Sequence, residues 1–72
     1  MQIERRHLKT ARLQKGRTAF EQAKIIDTTE NKVYGVERGR FAPDAELAIR
    51  WAASLNMNPE EAFPEIFTGA AE

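Results

Sequence analysis

From Thr18 to Arg40 the apolar residues recur at helical spacing in two successive segments. Ala19, Ala23 and Ile26 fall on one face of the first, and Val33, Val36 and Glu37 on one face of the second. Asp27-Thr28-Thr29 lies between them, a polar turn that ends in a residue able to cap a helix. Two short helices joined by a tight turn, one with its polar face free, are the physical description of a helix-turn-helix.

The flanking pattern is helical as well. Leu8, Ala11 and Arg12 recur at helical spacing in residues 3 to 15, and Gly16 ends that helix with Lys15 against the negative end of its dipole. Thr18 and Glu21 make a capping box for the second helix. Asp27 is expected in a left-handed turn, Thr29 caps the third helix, and Gly39 stops it after Arg38. Residues 44 to 56 carry Leu47, Ala48, Trp51, Ala52 and Leu55 as a wide apolar stripe. Trp51 is the largest group available for a core, and that reading outweighs one as a ligand platform. Asn58-Pro59-Glu60-Glu61 starts a fifth helix, which Pro64 cuts short. The expectation is an all-α chain of five helices: one domain over residues 1–67 and a disordered tail at 68–72.

Composition narrows the function. Seventy-two residues suit one small domain, burying about 60% of its unfolded surface. The chain has no cysteine and one histidine, His7, which removes thiolate chemistry and leaves no basis for a zinc site. No apolar run approaches the roughly 20 residues that span a bilayer, and no nucleophile, base and orienting group can be assembled into an active site. No enzyme, cofactor, metal, membrane or small-molecule ligand is expected, and a cytoplasmic, nucleoid-associated location is. The zero net charge hides an asymmetry. Residues 1–40 hold ten Lys/Arg against five acids, a balance of +5, and residues 41–72 hold one against six, a balance of −5. A basic half of this kind is the footprint of a nucleic-acid surface, or else one side of a salt-bridged fold.

On a helical wheel Asn31, Tyr34, Gly35 and Arg38 point away from the core side of the third helix, with Glu30 at its amino end. A helix polar on that face is shaped for the major groove of DNA, about 12 Å wide.

Leu8-Lys-Thr-Ala-Arg12-Leu-Gln-Lys-Gly16, then Glu37-Arg-Gly-Arg40 with Pro43, then Ala52-Ala-Ser-Leu-Asn-Met-Asn-Pro-Glu-Glu-Ala-Phe-Pro64, together resemble the lambda-repressor/Cro-like (XRE-type) helix-turn-helix regulators of bacteria and phages. The resemblance covers about residues 5 to 66. It implies a compact five-helix bundle with the third helix as recognition helix. It also implies a largely buried salt bridge between Arg12 and Glu37, and dimers on two-fold symmetric operators with half-sites about 34 Å apart. Three positions depart from the family pattern. Ala19 replaces a glutamine that commonly orients on phosphate, Gln22 replaces a buried leucine, and Gly35 stands where relatives often read a base. Phe20 is expected to fill part of the volume missing at Gln22.

Base reading is therefore expected from Glu30, Asn31, Tyr34 and Gly35, the last either letting the backbone approach the DNA closely or leaving its base unread. Asn31 is matched to adenine and Glu30 to cytosine or simply to the helix dipole; Tyr34 suits a thymine methyl or a phosphate. Phosphate contacts are expected from Arg17, Thr18, Lys32, Arg38 and Arg40, with Lys15 a weaker candidate. Phe63 is assigned to the core, and Ile66 and Phe67 to a dimer contact. Ile25 is outward and incidental, or a site for another protein. The function implied is a transcriptional repressor of phage, bacterial or mobile-element genes that binds an operator in double-stranded DNA. The alternative is an interaction module of the same fold, such as an antitoxin or antirepressor, whose partner is a protein.

Overall fold

A computed structural model describes residues 4–67. The chain divides into two compact units, Met1–Ala42 and Pro43–Glu72. All regular structure among the described residues is helical, and none of these helices is long and apolar enough to cross a membrane. The expected disorder at 68–72 falls outside the described residues.

The first unit holds α1 (Arg6–Gln14), α2 (Ala19–Ile25) and α3 (Glu30–Arg38). α1 starts later than the periodicity suggests. The Arg5 backbone N–H donates to the Glu37 carbonyl at 2.7 Å, a bond between distant parts of the chain that goes with Arg5 at φ −109°, ψ 69°, outside the helical region. Gly16 ends α1 at φ 72°. The capping box of α2 forms as the residue types demand: Glu21 N–H donates to Thr18 Oγ1, and Thr18 N–H to Glu21 Oε1. Asp27 takes φ 61°, and Thr29 Oγ1 then accepts from Lys32 N–H to start α3. Gly39 closes α3 at φ 84°. Leu8, Ala19, Ala23, Ile26, Val33 and Val36 are buried, and α2 and α3 pack on each other across their four-residue connection.

The second unit holds α4 (Ala45–Ser54), α5 (Pro59–Ala62) and α6 (Pro64–Phe67). Asp44 Oδ1 caps α4 by accepting from Leu47 N–H at 2.8 Å. Asn56 at φ 57° turns the chain out of it. Asn58 N–H donates to Glu61 Oε1, and Pro59 occupies the first turn of α5. Trp51 and Phe63 are both fully buried and meet edge to face, with centroids 5.8 Å apart at 77°. Among the described residues six helices replace the five expected. Phe63, ahead of Pro64, takes φ −135°, ψ 68°, so the fifth segment is broken into two single turns.

Candidate nucleic-acid interface

The candidate surface is built on a buried polar frame. Arg12 from α1 meets Glu37 of α3 through two bonds, Nε to Oε2 at 2.8 Å and Nη2 to Oε1 at 3.2 Å. Both side chains are almost entirely shielded from solvent, so this is a charge-assisted, two-pronged pair rather than a surface contact. A third donor, Arg12 Nη1, reaches the Arg17 carbonyl at 3.0 Å. One guanidinium thus ties α1, α3 and the entry to α2 together.

Arg5, at the amino end of α1, does similar work for the same end of α3. It is buried, and its Nη1 donates to the carbonyls of Val36 (2.7 Å) and Phe41 (3.1 Å). It thereby satisfies a carbonyl of the last turn of α3 and fixes the segment that follows. Sequence reasoning counted Arg5 only as one of ten basic charges. The signal was present, because positions 5, 8 and 12 share one helical stripe with Leu8 and Arg12.

Against this frame α3 turns outward a face on which Glu30, Asn31, Tyr34 and Arg38 are exposed and Lys32 is half-buried. Asn31, Tyr34, Gly35, Arg38, Arg40 and Phe41 line a single cleft of about 390 Å³. Two cations lie over rings there: Arg38 over Tyr34 and Lys32 over Phe41, each 5.4 Å from the ring centre. Tyr34 also borders the clefts on the α1 side, beside Lys9.

Several expectations change. Gly35 is buried rather than outward, because the Phe41 ring lies over it; a Cβ there would overlap Cδ2 and Cε2 of that ring. Phe41, in the segment that follows α3, is thus part of the cleft. Phe20 does not fill volume beside Gln22, since it is 56% exposed, with Lys24 over its ring. Gln22 itself is fully buried, and its Oε1 accepts from Arg17 Nη1 at 3.0 Å. Arg17, expected on phosphate, is therefore engaged internally through that nitrogen. Thr18 is exposed, but its hydroxyl already caps α2, and the Glu21 carboxylate stands at the same helix end. A negative group there opposes a phosphate. In the second unit Phe63 is buried, while Ile66 and Phe67 are half-buried.

No protein-family model matches the chain, and no curated protein matches it. Among solved structures it is similar to the clp gene regulator ClgR from Corynebacterium glutamicum, with a TM-score of 0.70 and 26% identity. That likeness covers 81% of this chain and 62% of ClgR, so the chain spans less than two thirds of the regulator's length.

Proposed function

We propose that this chain is a sequence-specific DNA-binding regulator of transcription, a repressor, that sets α3 into the major groove. The observation that carries the reading is the cleft on α3, where an exposed amide, Asn31, sits among Arg38, Arg40 and two aromatic rings. The likeness to a gene regulator supports the same class of function. Asn31 suits adenine, whose major-groove edge offers one donor and one acceptor. Glu30, exposed in the first turn of α3, suits the amino group of cytosine. Lys32, Arg38 and Arg40 serve the phosphates, and Tyr34 a phosphate or a thymine methyl. Ile66 and Phe67 join two copies on a two-fold symmetric operator, each copy reading one half-site.

A second reading keeps the fold and changes the partner. Phe20 and Ile25 on α2 are 56% and 53% exposed, more apolar surface than a short helix needs to show water. A protein that covers them would make the chain an antitoxin- or antirepressor-like module.

Duplex selection followed by fluorescence anisotropy over a salt series separates the two. Asn31→Ala is expected to reduce discrimination by about 1–3 kcal/mol at one base pair. Arg40→Ala is expected to weaken every sequence alike and to lower the log-log salt slope by about 0.9. Binding that is salt-sensitive but blind to sequence favours the protein-partner reading.

A further inference from the structure

We propose that Phe41 is a base-reading group whose ring meets the C5-methyl of a thymine beside the adenine assigned to Asn31. The inference rests on the DNA reading above and adds a residue from outside the recognition helix.

The geometry begins with Gly35. Its place in α3 faces the cleft, and a side chain there would collide with the Phe41 ring. The ring therefore stands in for the side chain that α3 lacks. Its backbone is pinned from both sides. Arg40 N–H and Phe41 N–H donate to the Gly35 carbonyl at 2.8 and 3.4 Å, and buried Arg5 holds the Phe41 carbonyl. Even so, the ring is 47% exposed, with Lys32 above it and Arg40 beside it.

An aromatic ring whose segment is fixed by two backbone hydrogen bonds and one from the Arg5 guanidinium, open to solvent among cations suited to phosphate, matches one apolar feature of the duplex. Base edges in the major groove carry polar atoms throughout, apart from the methyl of thymine. Because Asn31 and Phe41 line one cleft, the two bases they read belong to the same half-site.

The test uses the full chain. Duplexes are selected from a random pool, and each thymine of the selected site is replaced singly by deoxyuridine, which lacks only the methyl. One replacement is expected to weaken wild-type binding about fourfold, the effect of one buried methyl-sized group. Phe41→Ala, checked for folding by circular dichroism, should bind both duplexes equally. Gly35→Ala, which pushes the ring aside without removing it, should lose the same sensitivity, while Asn31→Ala should keep it. Sequence selection by a wild type indifferent to every replacement overturns the role of Phe41 alone. Equal sensitivity in wild type and Phe41→Ala does the same. A wild type that selects no sequence overturns this role and the DNA reading together.

Discussion

Arg5, Arg12, Gln22 and Glu37 are all buried in the unit that ends at Ala42, whereas the side chains buried after Pro43 include Leu47, Trp51, Leu55 and Phe63 and, among the described residues, no charged or amide group. The second unit is held by shape and apolar area. In the first, a smaller apolar set is crossed by directional bonds, every one of which ends on α3, on the segment after it, or on the approach to α2. Apolar residues of equal volume would hold such helices together as well or better, since burying charge costs solvation. What the polar set adds is orientation, because a two-pronged guanidinium–carboxylate pair is satisfied in one geometry. The unit that carries the candidate interface is also the unit in which packing direction is specified by hydrogen bonds.

The largest effects should come from removing the central group of each unit. Glu37→Ala strands the Arg12 guanidinium, and Trp51→Ala empties the apolar core; each is expected to cost about 3–5 kcal/mol in urea unfolding. The units part company on rescue. Arg12→Met with Glu37→Leu should return to within about 1 kcal/mol of wild type, since both charges leave together. Should the double variant remain as unstable as Glu37→Ala, the pair would be holding the fold and not merely directing it. A smaller effect is expected at the edge of the network. Arg17→Ala removes the bond to Gln22 and should cost about 1 kcal/mol; adding Gln22→Leu should recover it, because both polar partners are then gone. Smallest, and alike in both units, are the left-handed residues that follow α2 and α4. Asp27→Gly and Asn56→Gly relieve the same backbone strain and should each raise stability by about 0.5–1 kcal/mol. A marked difference between those two would show that one turn does more than end a helix.

Most of the helix ends were legible in the sequence because they are signalled locally; the start of α1 and the break between α5 and α6 were not. Thr18 with Glu21, Thr29, Gly16 and Gly39 all act where they stand, within a few residues of what they cap. The outward placement of Asn31, Tyr34 and Arg38 followed from a single helical period. What was missed depends on contacts distant in the chain. Arg5 reaches residues 31 and 36 positions away, and no local pattern names its acceptors. Phe41 returns over Gly35 from beyond the end of the helix, so a wheel drawn on α3 alone places that glycine in the open. Gln22, in place of a buried leucine, is matched by Arg17, and no pattern along the helix links the two.

The placement of the aromatic residues has a practical consequence. The one tryptophan of the chain, Trp51, belongs to the second unit and is fully buried, and the one tyrosine, Tyr34, sits at the surface of the first. Excitation at the red edge of the absorption band therefore reports the surroundings of Trp51 alone, while far-ultraviolet ellipticity averages over every helix. If the emission shift and the ellipticity melt at the same temperature, the halves unfold as one cooperative body; if they separate, each half has a melting point of its own.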